Sequence, residues 1–358
     1  MSSNCETAYS NLKIFAHPEK LSALKHGKIT APVYVRIKPT NACNHGCNYC
    51  HYGSGKYLEL KGTEAKNHIP WEKLKETISD LGAIGTKAIT FSGGGEPLFY
   101  KNITDAMKLV KAQKMDLAII TNGHFLKDEK AEILGEAKWV RISFDSATAS
   151  TYSKLRNLDM NAFNEVCDNI KKFATIKNEC CELGINFVVN AENACEVYKA
   201  GKLLHDMGVN HVKFSARMCN KVEEYHAPFM QSVIEQIHKL KSELERPRFS
   251  IINLYEHDFD NCAVFQRKYS KCYINQIVTV VAADSKIYFC QDKAYLNGGV
   301  VGDLKSASFR DIWFSEKTKE LFENFAPIKE CCHHCVFDDR NILLNRFFTI
   351  NENHINFI

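Results

Sequence analysis

The stretch that decides the fold is residues 33–50, VYVRIKPTNACNHGCNYC, in which a short β-branched apolar run enters a polar loop with three cysteines. Five more apolar runs of this kind follow along the chain, at residues 88–91, 117–120, 139–144, 185–189 and 211–214. Helical stretches lie between and after them, at residues 71–81, 103–112, 127–134, 162–175 and 196–207. This alternation predicts an α/β fold with a parallel sheet and right-handed crossovers. Because polar residues follow most of these strands, we expect the functional edge at their carboxyl ends.

The pattern divides the chain into three expected parts. Residues 1–30 are expected to form a helical N-terminal extension, with Pro18 as a helix start signal. The strand–helix alternation occupies residues 31–250. After about residue 225 the pattern changes to one helix over 227–244, ended by Pro247, and then to a β-hairpin of residues 276–281 and 287–290. We therefore place a small α+β domain at residues 251–358.

Composition narrows the function classes. The chain has 358 residues, 45% of them hydrophobic and 25% charged, with a net charge of +4. This charge gives no case for nucleic-acid binding. With neither a secretory signal nor an apolar run long enough to span a bilayer, the expected compartment is the cytoplasm, with no membrane association. Fifteen cysteines in a reducing compartment point to metal or redox chemistry rather than disulfides.

The first cysteine group has the spacing of an iron–sulfur site. Cys43, Cys47 and Cys50 give C-x3-C-x2-C. Three thiolates so placed can hold three irons of a [4Fe–4S] cluster and leave the fourth iron open to a ligand. A four-cysteine zinc site would normally show a second CxxC pair nearby, and this segment has none. The alternatives are a zinc site completed by His45 or His51, or a loop with incidental cysteines.

Together with the segment SGGGEP at residues 92–97, this cysteine triplet resembles the radical S-adenosylmethionine (SAM) superfamily. The resemblance covers residues 33–220 and implies a partial (β/α)6 barrel of the TIM type. It implies that the three cysteines bind the catalytic cluster and that Tyr49 packs near the adenine of SAM. The glycine run allows close backbone approach to a ligand, and the resemblance assigns the amino group of SAM to Gly94, Gly95 and Glu96. A plain tight turn is the alternative for the glycine run.

The fourth strand carries two further candidates. If Ile142 and Phe144 face outward, the alternation of a strand turns Ser143 and Asp145 into the barrel. The resemblance then implies that Ser143 and Asp145 contact the ribose of SAM or the substrate. For either residue alone, capping of the strand end is the alternative.

The fifth and sixth strands supply the remaining candidates of the barrel. Asn190 ends the fifth strand and is assigned to cofactor binding by the resemblance. The sixth strand carries Lys213 and Arg217, and the planar fork of an arginine suits the carboxylate of SAM or an oxyanion of the substrate. Both are candidate catalytic residues, with a solvated surface role as the alternative. The chemistry implied by the resemblance is reductive cleavage of SAM to methionine and a 5′-deoxyadenosyl radical, with an electron from a carrier such as flavodoxin or ferredoxin.

A second cysteine set lies near the C-terminus. Cys272 and Cys290 flank the expected hairpin, and Cys332 and Cys335 form a CxxC. These elements resemble the twitch/SPASM extension of radical SAM enzymes, which implies an auxiliary [4Fe–4S] cluster. The longer cysteine series of a full SPASM domain is absent, so one cluster, the shorter twitch form, is expected. Cys331 can replace Cys332 as a ligand, and a zinc site is the alternative.

Three function hypotheses follow. The single-cluster pattern resembles that of aminocyclitol (inosamine) dehydrogenases, which implies oxidation of a small polyhydroxylated molecule such as an aminocyclitol, sugar or sugar nucleotide. A peptide or protein maturase is the second hypothesis, with an epimerase variant in which Cys219 returns a hydrogen. A non-catalytic metal-binding protein is the third, and SAM binding would distinguish it from both enzymes.

Overall fold

The computed structural model describes residues 10–50, 52, 66–219, 221–256, 267–331 and 335–356. Its strands are β1 (Tyr34–Ile37), β2 (Ala88–Phe91), β3 (Asp116–Thr121), β4 (Trp139–Ser143), β5 (Glu182–Val189), β6 (His211–Ala216), β7 (Ser250–Asn253), β8 (Val278–Val281), β9 (Lys286–Tyr288) and β10 (Val300–Asp303). Its helices are α1 (Pro18–Lys25), α2 (Trp71–Ala83), α3 (Ile103–Ala112), α4 (Asp128–Gly135), α5 (Ala149–Arg156), α6 (Asn161–Ile176), α7 (Val197–Asp206), α8 (Val222–His226), α9 (Met230–Leu244), α10 (Phe309–Trp313), α11 (Glu316–Asn324), α12 (Pro327–Glu330) and α13 (Asp338–Phe348). Short 3₁₀ segments span Asn11–Ala16, Pro97–Phe99, Ala194–Glu196, Ile274–Gln276, Asn297–Gly299 and Glu352–His354.

All ten strands form one sheet, in the order β10-β9-β8-β1-β2-β3-β4-β5-β6-β7. From β1 to β7 each strand pairs in parallel with the next one along the chain, which is the topology of successive βα units in a barrel. The expected α/β fold with a parallel sheet is confirmed. The hairpin is confirmed as well, because β8 and β9 pair antiparallel.

The sheet is larger than expected at both ends. β7 adds a seventh parallel strand, with His211 opposite Ser250. β8 pairs in parallel with β1, so the hairpin continues the barrel sheet. The sequence pattern misses β7 because its four residues, Ser250–Asn253, are half polar and show no clear alternation. It misses the β8 pairing because β1 and β8 are far apart in the chain, and parallel pairing leaves no local signal.

The two faces of the sheet differ. Phe144 packs on Tyr152 of α5 and Phe163 of α6, and Phe187 packs on Phe214 in the same buried layer. Because side chains alternate along a strand, the neighbours of these residues face the inside of the barrel. Ser143 and Asp145 therefore face inward, as expected. None of the helices in the described residues has the length and apolar character needed to cross a membrane.

The N-terminal and C-terminal segments pack together beside β1. Leu21 and Leu24 of α1, which begins at Pro18 as expected, share a buried cluster with Ile274, Phe337 and Leu344. The indole of Trp313 donates to the carbonyl of Thr30 at 2.9 Å. These contacts hold the C-terminal part against the chain that leads into β1.

Candidate functional site

The loop that carries the first cysteines, residues 38–50, is fixed by backbone hydrogen bonds on both sides. It leaves the carboxyl end of β1, where the sequence changes from apolar to polar. The bonds join Gly95 N to Thr40 O (2.9 Å), Glu96 N to Ala42 O (2.9 Å), Gly46 N to Arg156 O (2.9 Å) and Asn48 N to Leu155 O (3.1 Å). The loop is thus held between the segment after β2 and the end of α5.

The glycine run after β2 permits this contact. A Cβ on Gly94 would lie 2.0 Å from Oδ1 of Asn41, and a Cβ on Gly95 would lie 2.0 Å from the carbonyl oxygen of Ala42. Any side chain at these positions would push the cysteine loop away. The close backbone approach predicted for the glycines is present, and the group approached in this structure is the cysteine loop itself. Their contact with the amino group of SAM remains a prediction.

Glu96 lies buried, with 2% exposure, beneath the same loop. Its Oε1 accepts from Leu98 N at 3.0 Å and Thr121 Oγ1 at 2.6 Å, and its Oε2 accepts from Asn122 N at 2.7 Å. Burial raises the pKa of this carboxyl. A carboxylate offers about four acceptor positions, so one more donor, such as an ammonium group, can still bind. Asn122 also connects Glu96 to the cysteine loop, because its side-chain amide donates to Asn44 Oδ1 at 2.9 Å.

Asp145 forms a buried ion pair with Arg156. The sequence singled out Asp145 but not its partner. The side chain of Arg156, on α5, donates to Asp145 Oδ2 and also to the carbonyl of Ser143 at 2.8 Å. Tyr49 donates to the same carboxylate oxygen. Val188 N donates to Oδ1 at 2.8 Å, which ties β4 to β5. Tyr49, which belongs to the cysteine loop, therefore joins that loop to Asp145 at the end of β4.

Arg156 is the functional candidate that the sequence did not reveal. Its guanidinium donates to Cys47 Sγ at 3.6 Å. Burial by itself would lower the pKa of this guanidinium, but the surrounding tyrosines and Asp145 outweigh burial and hold it well above the usual range. Only 3% of the residue is exposed. In sequence it follows Lys154 in a short polar helix, a pattern typical of a solvated face. No spacing rule would have singled it out.

The candidates on β5 and β6 follow along the same edge of the sheet, since β5 pairs with β4 and β6 pairs with β5. Asn190 is fully buried, and its Oδ1 accepts from Arg217 Nη1 at 3.4 Å. Arg217 also stands over the ring of Tyr225, 5.5 Å from its centre. Lys213 lies one layer below, opposite Asn186. The structure thus brings Asn190 and Arg217 together and places Lys213 on the same inward face.

Four cysteines of the C-terminal part line one cavity: Cys272, Cys290, Cys331 and Cys335. Burial raises the pKa of all four thiols, that of Cys272 to about 12. Such buried thiols are stabilised as thiolates by metal, and four of them match the ligand count of a [4Fe–4S] cluster. Cys332 lies outside the described residues, so its role as a ligand remains a prediction. No group of three or more His, Cys, Asp or Glu in the described ranges has the geometry for a single metal ion.

Two family models match the chain in these same regions. The radical SAM superfamily model matches residues 37–200, and the model of the iron–sulfur cluster-binding domain SPASM matches residues 272–336. The chain therefore contains a radical SAM domain and a SPASM domain. Its radical SAM domain implies a [4Fe–4S] cluster and SAM, and its SPASM domain implies auxiliary iron–sulfur binding. The three thiols of the first cysteine set leave one iron of such a cluster open, and the four thiols around the C-terminal cavity can ligate a cluster fully.

Curated relatives cover part of this chain. A probable GTP 3′,8-cyclase of Saccharolobus solfataricus is 29% identical over 185 residues, which are 50% of this chain and 54% of that protein. The Fe-coproporphyrin III synthase of Methanosarcina barkeri is 28% identical over 193 residues, 53% of this chain and 45% of that protein. The chain thus spans about half the length of the curated relatives it matches.

Solved structures support the fold. SuiB of Streptococcus suis bound to SAM has a TM-score of 0.62 at 15% identity, over 85% of this chain and 70% of SuiB. SuiB bound to the precursor peptide SuiA has a TM-score of 0.63 at 16% identity, over 86% of this chain and 70% of SuiB. At this identity the likeness concerns the arrangement of the chain only.

Lys38 is a second residue of the radical SAM domain that the sequence did not single out. It lies at the end of β1 with no exposed surface. Its Nζ donates to Tyr52 Oη at 2.7 Å and stands 4.3 Å from the Tyr52 ring centre and 5.1 Å from that of Tyr295. Gln291, next to Cys290, donates to the same hydroxyl at 2.6 Å. Lys38, the first residue of the cysteine loop, is therefore linked through the Tyr52 hydroxyl to Gln291, beside the second cysteine set.

Burial has a measurable consequence at Lys38. Loss of water, followed by the neighbouring Arg36, lowers its pKa from 10.5 to about 7. Below pH 7 the folded chain bears the whole cost of a buried charge. Between pH 7 and 10.5 only the unfolded chain is protonated, so this cost falls as the pH rises. We therefore expect Lys38→Met to raise the free energy of unfolding of the apoprotein, most at pH 7 and below, and less as the pH increases.

Urea unfolding of the apoprotein between pH 6.5 and 9.5 measures this difference. The matched control is Lys75→Met, which removes an exposed lysine from α2. It should change stability by less than about 0.5 kcal/mol at every pH. Two results would contradict the expectation. One is a Lys38→Met chain with a lower free energy of unfolding than the unaltered chain at pH 6.5. The other is a difference in the free energy of unfolding between the two chains that is the same at every pH.

Proposed function

We propose that the chain binds SAM at a [4Fe–4S] cluster held by Cys43, Cys47 and Cys50, and uses it to abstract hydrogen from a small polyhydroxylated substrate. The observation that carries this proposal is the convergence of the cysteine loop, Glu96 and the Asp145–Arg156 pair at one edge of the sheet. When bound, the cluster and SAM together supply a 5′-deoxyadenosyl radical, and the protein supplies binding, orientation and exclusion of water.

The groups around the loop suit the polar ends of SAM. Glu96 retains acceptor capacity for an ammonium group. Arg156 can bind a carboxylate, because its Nε is buried without a hydrogen-bond partner among the described residues. A guanidinium holds a carboxylate through parallel hydrogen bonds. Tyr49, the loop residue that donates to Asp145, is proposed to lie near the adenine.

The side chains on the inward faces of β4 to β6 are polar, which suits a substrate with several hydroxyl groups. They present Ser143, Asn186 and Lys213 in one paired layer, with Asn190 and Arg217 above it. Hydroxyl groups can both donate to and accept from such side chains. We propose that Lys213 or Arg217 assists removal of the proton from a hydroxyl next to the radical carbon. The names of the two curated relatives also denote chemistry on small molecules.

We further propose that the reaction is an oxidation, with one auxiliary [4Fe–4S] cluster in the SPASM domain as the electron acceptor. The substrate then loses one hydrogen atom to the radical, one proton to a basic group and one electron to the auxiliary cluster, which balances a two-electron oxidation. The four cysteines around one cavity support a single cluster there.

The test is substrate-dependent formation of 5′-deoxyadenosine after anaerobic reconstitution. Deuterated aminocyclitols, sugars and sugar nucleotides are compared with a peptide library, and deuterium transfer into 5′-deoxyadenosine is measured by mass spectrometry. Transfer from a carbon-bound deuterium of a polyol, with a ketone as product, would support the proposal. Transfer only from peptides would support a maturase instead. Absence of any SAM cleavage under dithionite would refute the enzymatic proposal itself.

Cys331 and Cys332 can be separated by iron content. Because Cys331 lines the cavity with Cys272, Cys290 and Cys335, we expect Cys331→Ala to lower iron from about eight to about four per chain. Cys332→Ala should leave about eight irons. The reverse result would assign the fourth ligand to Cys332. Cys180→Ala, which removes an exposed cysteine from the loop before β5, is the matched control.

A further inference from the structure

Four aromatic rings connect the cysteine loop with the surface of the radical SAM domain. His45 lies between Cys43 and Cys47, and its ring centre is 5.8 Å from that of His124. His124 is 5.1 Å from Phe125, and Phe125 is stacked on Phe99 at 5.7 Å. Phe99 is 50% exposed. This is a continuous packed route from an exposed phenylalanine to the loop proposed to hold the catalytic cluster.

Basic side chains border the exposed end of this route. Lys130 donates to the carbonyl of Leu98 at 2.8 Å and stands over the ring of Phe125, 5.4 Å from its centre. No carboxylate in the part of the chain that the structure describes forms an ion pair with Lys130. Glu129, the acid beside it, is paired with Lys108 at 2.6 Å. Lys101, two residues after Phe99, is exposed. We define Phe99, Phe125, Lys101 and Lys130 as the Phe99 patch, an apolar centre flanked by two lysines.

We propose that the Phe99 patch is the docking surface for an acidic one-electron carrier protein of the flavodoxin or ferredoxin class. The inference rests on the proposed reductive cleavage of SAM, because that reaction needs one electron from outside the chain. The electron leaves the reduced flavin or iron–sulfur group of the carrier, which is oxidised by one electron, and enters the catalytic cluster. A second run of ring contacts leaves His45 through Tyr152 and ends at Phe163, which is less exposed than Phe99 and carries no lysine over its ring among the described contacts.

The size and chemistry of the patch fit such a partner. Complexes of electron carriers are small and short-lived, so one aromatic anchor with a charged rim is sufficient. Opposite charge on the two surfaces increases the rate of encounter and makes it depend on ionic strength. An exposed phenylalanine beside two lysines meets both requirements.

The experiment compares two reductants on the reconstituted holoenzyme. Dithionite is a small reductant that needs no docking surface, whereas reduced flavodoxin must bind. We expect Phe99→Glu to raise the KM for flavodoxin about tenfold and to leave dithionite-driven SAM cleavage unchanged. Lys101→Glu should act in the same direction. The matched control is Phe314→Glu, because Phe314 is 43% exposed and lies after α10 in the C-terminal part.

Calorimetric binding of oxidised flavodoxin, at low and high salt, provides a readout that does not depend on turnover. Weaker binding to the Phe99→Glu chain only, and loss of binding at high salt, would support the docking surface. Equal binding and equal KM for the Phe99→Glu and Phe314→Glu chains would overturn it. Failure of dithionite to drive SAM cleavage in the unaltered chain would count against the proposed function, while the binding measurement would still test the patch.

Discussion

Replacing Cys43, Cys47 and Cys50 together by alanine is expected to abolish SAM cleavage and to lower iron from about eight to about four per chain. The three thiols belong to one loop that is bonded on both sides, at Gly95 and at Arg156, so the loop should keep its place without the cluster. The auxiliary cysteines lie in a separate cavity and should retain their iron. Iron and sulfide content, with 5′-deoxyadenosine assayed on the same sample, measures both effects.

The control for this prediction is a triple replacement of cysteines outside both sites. Cys167, Cys180 and Cys195 have no metal spacing in the sequence, and none of them lines the cysteine cavity. Their replacement by alanine should leave about eight irons and normal cleavage. Loss of all iron in the Cys43, Cys47 and Cys50 variant would contradict the assignment of two independent sites. Retention of cleavage would contradict the role of the triplet.

The strand positions and the cysteine loop could be predicted because their causes are local. Strand β2 is found at residues 88–91 as expected, since a run of β-branched and aromatic residues is buried between helices and barrel interior. Helix α3 matches its expected range of 103–112 for the same kind of reason, an amphipathic pattern at helical spacing. Cysteine spacing is likewise a property of the sequence alone.

The buried charges could not be predicted because their causes are distant in the chain. Arg156 is buried only because Asp145, Tyr49 and the cysteine loop converge on it, and nothing near it in sequence indicates this. Lys38 is enclosed by Tyr52 and by Tyr295 from the C-terminal part. The parallel pairing of β8 with β1 brings that part into place. A lysine after a strand is otherwise typical of a solvated position.

The pairing of β8 with β1 also fixes the two cysteine sets relative to one another. β8 continues the barrel sheet beside β1, and the first cysteine loop begins directly after β1. Tyr295 donates to Asn41 Oδ1 at 2.5 Å, which joins the C-terminal part to that loop. Gln291 and Lys38 meet at the Tyr52 hydroxyl. The separation of the two cysteine sets is therefore set by these hydrogen bonds and by one shared sheet.

Replacing Arg156 by methionine is expected to lower the free energy of unfolding of the apoprotein by about 3–5 kcal/mol. The reason is that Asp145, which is 1% exposed, would remain buried without its cationic partner. SAM binding to the reconstituted protein should be lost as well, because the guanidinium of Arg156 is the group proposed to hold the carboxylate of SAM. Urea unfolding measures the first effect and calorimetry with SAM measures the second. Arg156→Lys, which keeps the charge without the planar fork, should recover part of the stability and little of the binding.

The matched control on the same helix is Lys154→Met, which removes an exposed cation and should cost less than about 0.5 kcal/mol. Adding Asp145→Asn to the Arg156→Met chain should restore part of the lost stability, since it removes the uncompensated buried charge. That recovery is what separates an ion-pair effect from a loss of packing around Tyr152. If the double variant is no more stable than Arg156→Met alone, the arginine acts through packing. If Arg156→Met itself unfolds within about 0.5 kcal/mol of the unaltered chain, the buried pair does not stabilise the fold.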